Sequence, residues 1–305
     1  MRLVTRSDFD GLGCAAVLKE AGVIDDDIKF VHPKDVQDGL IQVDENDVLA
    51  NIPYVPGCGM WFDHHSSEVE RLKDLDFKGK SDPHALSAAR VIYDYYGGIE
   101  KLENPHLDAL VQAADKFDSA DFIKEEILNP HGWVLISFIM DPRTGLGRYK
   151  DYRISNYALM MDMIDYCRKM NADEILELPD VKERISRYFE QDQEFRNMLL
   201  QNSRIYNNVV VLDLRSQEEI FTGNRFLLYA LFPEQNVSVQ VMWGYQKQNI
   251  VMTCGHSIFK RDCGVDIGSL MLKYGGGGHK KVGTCQVPID DADRILQEIG
   301  DQLNS

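Results

Sequence analysis

The chain has 305 residues, of which 44% are hydrophobic and 27% charged, a composition typical of a globular protein with room for two domains. A formal net charge of −16 argues against non-specific binding to long duplex nucleic acid, because lysine and arginine contacts to phosphates supply most of that affinity. We expect no membrane span and no signal peptide, since apolar runs stay well short of roughly 20 residues and the start soon turns polar. Six cysteines without a CxxC pair predict reduced thiols and a cytoplasmic protein.

In the first half of the chain, short apolar strands alternate with helical patterns. The predicted strands cover 3–5, 47–51 and 61–62, and the predicted helices cover 11–21, 85–96 and 105–114. This alternation predicts an α/β fold with a parallel sheet, and such sheets bind ligands beyond the carboxyl ends of their strands. Acidic and histidine clusters fall at these predicted strand ends, and their shared position is the main argument for a site.

The second half of the chain has a different pattern. A polar, amphipathic stretch over 183–201 without glycine or proline predicts one long helix that links two domains. Strand patterns over 209–214, 236–243 and 249–254 follow, with helical patterns over 266–274 and 292–303. We therefore predict a larger first domain over 1–204 and a smaller α/β domain over 205–305.

Two carboxylates, Asp8 and Asp10, follow the first predicted strand and precede Gly11. Aspartates separated by one residue on a tight loop can direct oxygen atoms at one or two cations, and Mg²⁺ and Mn²⁺ prefer oxygen ligands. The alternative is an ordinary helix cap, where aspartate is also favoured. The motif alone leaves both interpretations open.

The tripeptide Asp63, His64 and His65 follows the apolar run 59–62. In a metal interpretation, one histidine coordinates through a ring nitrogen, while the aspartate either ligates or orients its neighbour. The second histidine is then available to donate to a substrate phosphate. A purely structural histidine pair in a loop is the alternative.

Three further residues have both a functional and an ordinary interpretation. Asp115 and Asp118 end a predicted helix, where acidic groups oppose the helix dipole unless a cation is present; a solvated acidic end is the alternative. Arg143 lies in a turn-rich stretch, where it either contacts phosphate or is a solvated loop residue.

Four successive glycines, Gly275, Gly276, Gly277 and Gly278, precede His279. Such a run costs chain entropy and marks either a flexible linker or a close approach of backbone to a ligand. Because it lies between a predicted helix and a predicted strand, the ligand interpretation is favoured, with backbone N–H groups open to an anion.

Together these motifs resemble the DHH superfamily of phosphoesterases, named for its Asp-His-His motif. Members include RecJ-type exonucleases, nanoRNA/pAp phosphatases, exopolyphosphatase-like proteins and manganese pyrophosphatases. The glycine run with His279 looks like the GGGGH motif of the DHH-associated C-terminal domain, which argues against the pyrophosphatase branch. The resemblance spans both predicted domains, and its pattern looks most like the exopolyphosphatase-related, nanoRNA/pAp phosphatase-like branch.

The resemblance implies a set of site residues. Those implied as metal ligands or their neighbours are Asp8, Asp10, His64, Asp118 (with Asp115 as the fallback), Asn51 and Asp63. His65, with Asp63 and Arg143, is expected to act on the substrate in catalysis. Those implied for substrate binding are Gly275, Gly276, Gly277, Gly278 and His279.

The chain departs from the family pattern at two positions. The family's first motif usually opens with a metal-binding histidine, whereas this chain has Thr5, Arg6 and Ser7 there. Its second motif usually carries an aspartate that bridges two metals, whereas the strand here ends at Asn51. Asparagine can ligate through its carbonyl oxygen but bridges two cations less well than a carboxylate.

The function implied is a metal-dependent phosphoesterase that uses one or two Mn²⁺ or Mg²⁺ ions and metal-activated water. Its expected substrates are short oligonucleotides, pAp-like nucleotides or polyphosphate; a short single-stranded oligonucleotide is among the partners, and a homodimer is an expectation from the resemblance. The alternative is a nucleotide- or phosphate-binding protein without catalysis, which the two departures motivate.

Overall fold

The structure, a computed structural model, describes residues 1–25, 27–65, 68, 72 and 76–304. The chain divides into two compact units, Met1–Phe122 with Pro130–Arg187, and Ile123–Asn129 with Tyr188–Ser305. The predicted boundary between residues 204 and 205 stays a prediction, and the division by compactness lies before it. Among helices in the described part of the chain, none combines the length and apolar character needed to cross a bilayer.

A five-stranded sheet forms the centre of the first unit. Its strands are β1 (Arg2–Arg6), β2 (Ile28–Val31), β3 (Asp47–Ala50), β4 (Met60–Asp63) and β5 (Gly79–Ser81). They pair in the order β2-β1-β3-β4-β5, and every pairing is parallel. Every residue of β3 and β4 is buried, as expected for a parallel sheet that is covered on both faces. The predicted α/β fold with a parallel sheet is confirmed.

Helices surround this sheet in the first unit. They are α1 (Phe9–Glu20), α2 (Pro33–Gln37), α3 (Ala88–Tyr95), α4 (Gly98–Leu102), α5 (Pro105–Asp118), α7 (Gly132–Met140), α8 (Asn156–Lys169), α9 (Ala172–Leu176) and most of α10 (Pro179–Glu190). The helix between α5 and α7 in the chain, α6 (Lys124–Leu128), belongs to the second unit. Helix α1 is buried over ten of its twelve residues. A Cβ atom on Gly13 would lie only 2.8 Å from the Ala89 Cβ atom, so this glycine permits α1 and α3 to pack closely.

The second unit contains a six-stranded mixed sheet. Its strands are β6 (Ser203–Tyr206), β7 (Val209–Asp213), β8 (Val237–Trp243), β9 (Ile250–His256), β10 (Gly277–His279) and β11 (Val282–Val287), and its helices include α11 (Asp192–Asn202), α12 (Leu227–Leu231), α13 (Ile267–Leu272) and α14 (Ala292–Leu303). The order is β10-β11-β9-β8-β7-β6, with β7 and β8 parallel and the other pairs antiparallel. Its core includes Val239, Met252 and Ile299. The predicted second sheet domain is therefore present.

One element differs from the sequence prediction. The single helix predicted over 183–201 is two helices, α10 and α11, separated at Gln191. Gln191 has φ −104° and ψ 1°, which lies outside the helical range. Its side-chain oxygen accepts a hydrogen bond from the Thr222 amide at 2.8 Å, so a tertiary contact invisible to helical periodicity fixes the break.

Candidate active site

The carboxyl edge of the first-unit sheet brings the predicted clusters together. Thr5 is the register partner of Ala50, and Ala50 is the register partner of Phe62. Because these strands are parallel and in step, the residues that follow them emerge at one edge. These residues are Asp8 after β1, Asn51 after β3, and Asp63, His64 and His65 at the end of β4.

His64 has the arrangement of a metal ligand. Its Nδ1 lies 3.3 Å from the Ala85 carbonyl oxygen, which can only accept, and in the tautomer with the hydrogen on Nδ1 the other nitrogen, Nε2, has a lone pair to offer a cation. Among the residues that the structure describes, buried Nε2 has no hydrogen-bond partner. It lies 3.2 Å from Asp118 Oδ2 and 3.9 Å from Asp10 Oδ2. A divalent cation would satisfy this orphaned nitrogen and both carboxylates at once.

Asp10 is buried and held by backbone. It lies in the first turn of α1, not on the preceding loop as predicted, because Asp8 is the N-cap. The amides of Ala88 and Ala89, at the start of α3, each donate to one Asp10 oxygen at 2.9 Å. Burial, with repulsion from Asp118, raises the pKa of Asp10 to about 7. A cation beside Asp10 would favour its ionised form.

Asp118 completes a cluster of three candidate ligands. It is the last residue of α5 and is exposed, whereas Asp10 is buried. One ligand atom from each of Asp10, His64 and Asp118 lies within 4.8 Å of the others. Two carboxylate oxygens and one imidazole nitrogen fit Mn²⁺ or Mg²⁺.

Asp115, the fallback ligand, has other partners. It accepts hydrogen bonds from Ser87 Oγ at 2.7 Å and Arg90 Nε at 2.9 Å. Ser87 is the N-cap of α3 and also accepts from the Arg90 amide. Asp115 therefore fixes the helix end whose amides hold Asp10, and it lies outside the three-residue cluster.

Asp8 is engaged through both oxygens. Its Oδ1 accepts from the Gly11 amide at 2.9 Å and from Asn51 Nδ2 at 3.3 Å, and its Oδ2 lies 3.1 Å from Arg6 Nε. Asn51 is buried and adopts a φ of 56°, a left-handed conformation that asparagine tolerates. The helix-cap interpretation is thus realised by Asp8. Neither Asp8 nor Asn51 is in the three-residue cluster, and their assignment as ligands stays a prediction.

Asp63 orients His65. Asp63 is buried at the end of β4, and its Oδ1 accepts from His65 Nδ1 at 2.8 Å while Oδ2 accepts from the His65 amide. Burial lowers the pKa of His65, but the hydrogen bond to Asp63 and nearby carboxylates outweigh it and raise the pKa to about 9. His65 is therefore a cation near neutral pH. The structure places Asp63 on His65 and outside the three-residue cluster.

Arg143 lies close enough to the cluster to sense its charge. Its Nε donates to Asp141 Oδ1 at 2.7 Å, and the Arg143 side chain is 45% exposed. Burial of the guanidinium lowers its pKa, but the charges of Asp141, Asp8 and Asp118 outweigh this and raise it. An arginine held in this way can contact a phosphate near the metal cluster.

The glycine run has mostly structural partners in the second unit. The Gly275 amide donates to the Leu272 carbonyl at 3.1 Å and the Gly276 amide to the Met271 carbonyl at 3.0 Å, the paired bonds of a Schellman motif after α13. The predicted free amides are therefore wrong for Gly275 and Gly276. Gly275 has a φ of 74°, which suits this C-terminal position.

The next glycines line a crowded strand pair. Gly277, Gly278 and exposed His279 form β10 against β11. A Cβ atom on Gly276 would overlap the Thr284 carbonyl, and one on Gly278 would overlap the Val282 carbonyl. Of the four glycines, only Gly277 combines open space where a Cβ atom would lie with a φ that is not positive. The substrate-binding role of the run stays a prediction.

Sequence reasoning missed several backbone groups of the site. The Ala88 and Ala89 amides and the Ala85 carbonyl fix Asp10 and His64, yet alanine carries no side-chain signal. The sequence analysis gives Arg6 no role beyond its position where the family pattern has a histidine, so its ion pair with Asp8 was not predicted. A charged residue directly after a buried strand and two positions before an aspartate was the available signal.

The comparisons with known proteins agree with this geometry. No family model matches the chain, and no curated protein matches it. A solved structure described as the pGpG-specific phosphodiesterase PggH from Vibrio cholerae is 49% identical, with a TM-score of 0.84, and the match covers 99% of this chain and 98% of that one.

Two more distant structures share the fold. The DHH domain of a protein described as a member of a family of ribosomal proteins matches with a TM-score of 0.61 at 14% identity, over 99% of this chain and 86% of that one. RecJ from Thermus thermophilus in complex with Mn²⁺ matches with a TM-score of 0.53 at 13% identity, over 99% of this chain and 52% of that one.

Proposed function

Because the chain belongs to the DHH superfamily, we propose that it is a metal-dependent phosphodiesterase that hydrolyses the linear dinucleotide pGpG. A phosphodiesterase role, with hydrolysis of phosphoester bonds, is what the related structures support, and the substrate is the proposed part. The exopolyphosphatase-related branch expected from the sequence has no further support, so polyphosphate and pAp become comparison substrates.

The observation that carries the proposal is the whole-length similarity to a phosphodiesterase described as pGpG-specific. At 49% identity over 99% of this chain, both units are shared, so the similarity extends beyond the metal-binding motifs. The cluster of Asp10, His64 and Asp118 supplies the chemical basis for the reaction.

Asp10, His64 and Asp118 would hold the metal, which when bound acts as a Lewis acid and lowers the pKa of water toward neutrality. His64 presents its Nε2 lone pair because the Ala85 carbonyl holds the hydrogen on Nδ1. The two amides on Asp10 keep that carboxylate in place before the metal arrives.

The other residues of the site act on the phosphodiester. His65, held by Asp63 and cationic near neutral pH, would donate a hydrogen bond or a proton to a phosphoryl or leaving oxygen. Arg143 would stabilise negative charge on the phosphoryl group. Addition of one water to the central phosphorus with departure of the ribose O3′ gives two molecules of GMP.

The test is product release by the purified protein with Mn²⁺ on a panel of pGpG, pApA, pAp and short polyphosphate. We expect GMP from pGpG, faster than any product from the other substrates, and complete loss of turnover with EDTA. Asp10→Ala should abolish turnover. Asp162→Ala is the matched control, since Asp162 is exposed on α8 and its side chain has no hydrogen bond in the described residues.

Two results would contradict the proposal in different ways. Preferred cleavage of another panel member would keep the phosphodiesterase and replace its substrate. Absence of any product, together with measurable pGpG affinity, would support the non-catalytic, nucleotide-binding alternative. Asn51→Asp then shows whether the substitution at that strand end is responsible, because it would create activity in an otherwise intact scaffold.

A further inference from the structure

Two neighbouring aspartates at the strand-end site have different surroundings. Asp10 faces the orphaned His64 Nε2, whereas Asp8 faces Arg6. We infer that the site takes one divalent cation, and that the Arg6 guanidinium, held by Asp8, supplies the second positive charge that a phosphodiester needs. This inference rests on the proposed function and deepens it.

The partners of Asp8 leave it poorly placed to bind a cation. Two donors, the Gly11 amide and Asn51 Nδ2, share Oδ1, and Arg6 Nε forms an ion pair with Oδ2 at 3.1 Å. A cation at Asp8 would have to displace the guanidinium and would meet the amide hydrogens of Asn51. Asp8 is 6% exposed, so its ion pair with Arg6 is shielded from solvent on the aspartate side.

The charges at the site also favour one ion. Asp8 is paired with Arg6, and Asp141 is paired with Arg143. Asp10 and Asp118, with His64 between them, carry two negative charges in their ionised forms. One divalent cation balances these two charges, whereas a second would leave an excess of positive charge among the described side chains.

Arg6 and Arg143 each lie beside one carboxylate, Arg6 in an ion pair and Arg143 in an ion pair that is also a hydrogen bond. Each directs its Nε at one carboxylate, Asp8 at 3.1 Å and Asp141 at 2.7 Å. Neither guanidinium has another hydrogen-bond or ion-pair partner in the part of the chain that the structure describes, which leaves the terminal amino groups of each for a ligand. The side chains are 34% and 45% exposed, so solvent-borne phosphate can reach them.

Both arginines also lie within electrostatic range of Asp118. The Arg6 charge acts on the Asp118 carboxyl, and the Asp118 charge acts on Arg143. A phosphoryl group bound to the ion at Asp118 would therefore meet two planar forks, which match phosphate oxygens better than point charges do.

The first experiment counts ions on the metal-free, full-length protein by Mn²⁺ titration calorimetry and Mn²⁺ electron paramagnetic resonance, without substrate. We expect one Mn²⁺ per chain and no resonance spectrum of two spin-coupled Mn²⁺ ions. Asp8→Asn should keep one Mn²⁺ with a Kd within about threefold of the wild type, whereas Asp118→Asn should weaken binding at least about tenfold. Two ions in the wild type, or loss of an ion in Asp8→Asn, would overturn the inference.

The second experiment tests Arg6 with inorganic phosphate as the probe on the Mn²⁺-loaded protein. Arg6→Gln should raise the phosphate Kd at least about fivefold while leaving the Mn²⁺ Kd within about threefold. Arg6→Lys keeps the charge but loses the planar guanidinium, so its phosphate Kd should lie between those of the wild type and Arg6→Gln. An unchanged melting temperature shows that both variants fold. Unchanged phosphate affinity in Arg6→Gln would overturn the role of Arg6.

These measurements separate the inference from the proposed function. A chain that binds one Mn²⁺ but fails to cleave pGpG refutes the substrate and leaves the inference intact. A chain that cleaves pGpG with two Mn²⁺ ions refutes the inference alone.

Discussion

The strand-end cluster of the first unit and the glycine run of the second unit each resemble a motif of the same family, but their local structures differ. In the cluster, side chains from α1, α5 and the segment after β4 lie close together, and the His64 ring nitrogen Nε2 has no hydrogen-bond partner in the described part of the chain. In the glycine run, three of four glycines have a backbone reason for being glycine, and His279 is exposed.

The difference teaches how far a motif can be interpreted. A metal cluster carries its function in the side chains themselves, because an unsatisfied buried nitrogen between carboxylates is costly without a ligand. A glycine run has no side chains, so tight packing and ligand approach predict the same residues. Only Gly277, where packing does not require glycine, can distinguish a packing role from a ligand-binding role.

The largest expected effect comes from replacing His64, which is in the three-residue cluster, and comparing the result with replacement of its neighbour His65. His64→Ala removes a metal ligand, so we expect a loss of at least about 100-fold in Mn²⁺ affinity and about 1,000-fold in turnover. His65→Ala removes a donor to substrate, so turnover should fall about 100-fold while Mn²⁺ affinity stays within a few-fold. Calorimetry and steady-state kinetics measure both, and equal loss of Mn²⁺ by the two variants would contradict the distinct roles.

The second prediction sharpens the comparison within the glycine run. Gly276→Ala should lower the free energy of unfolding by about 3 kcal/mol, because its Cβ would overlap the Thr284 carbonyl. Gly277→Ala should leave stability within about 1 kcal/mol, since nothing lies near its Cα.

Denaturant unfolding measures these changes, and KM for pGpG decides what they mean. A raised KM in Gly277→Ala at unchanged stability would support the predicted substrate contact. An unchanged KM would indicate that the glycine run serves packing alone and does not bind substrate, unlike the strand-end cluster.

The third prediction concerns the pH dependence of the metal-free protein. The pKa of Asp10 is raised from 3.8 to about 7 by folding, so the folded state binds more protons than the unfolded state in that interval. Stability should therefore fall by on the order of 3 kcal/mol as pH rises from about 4 to about 7.

Asp10→Asn provides the control, because it cannot titrate. Its absolute stability should be lower, since its NH₂ group would face one of the two amide donors. The slope is the readout: thermal melts of the variant in EDTA should depend less on pH over that interval. Parallel slopes would show that Asp10 does not titrate in the folded protein.

The smallest effect should come from Asp115→Asn. This change weakens the hold of Asp115 on Ser87 and Arg90, which fix the helix end that donates to Asp10. We expect a loss of about tenfold in Mn²⁺ affinity. Asp108→Asn is the matched control on the same helix, since Asp108 accepts from Tyr93 and Gln112 instead. Complete loss of Mn²⁺ binding in Asp115→Asn would instead make it a ligand.

The sequence predicted the parallel sheet well because strands such as β3 and β4 are buried on both faces and have continuous apolar residues. It placed His64 and Asp118 in one site through the family motif. The resemblance favoured Asp118 over Asp115 as the ligand, but it could not predict what Asp115 does instead. That role depends on Ser87 and Arg90 from another helix, and periodicity carries no information about such partners.

The break at Gln191 and the occupied amides of Gly275 and Gly276 have the same explanation. Each depends on a hydrogen bond with a backbone group, the Thr222 amide for Gln191 and two carbonyls of α13 for the glycines, whose position is fixed only in the folded protein. Local sequence gives the tendency of a segment, while the surrounding structure decides which carbonyl or amide it meets.

The two amides that hold Asp10 also bear on which ions the protein can distinguish. The Ala88 amide donates to Oδ2, while the Ala89 amide and the Cys14 thiol both donate to Oδ1, so this carboxylate can turn little and keeps one lone pair on Oδ2 for a cation. Ca²⁺ takes 6–8 oxygen ligands, often with a carboxylate chelating through both oxygens, whereas Mg²⁺ accepts few protein ligands and keeps its waters. We therefore expect Ca²⁺ to compete poorly with Mg²⁺ or Mn²⁺ for this site.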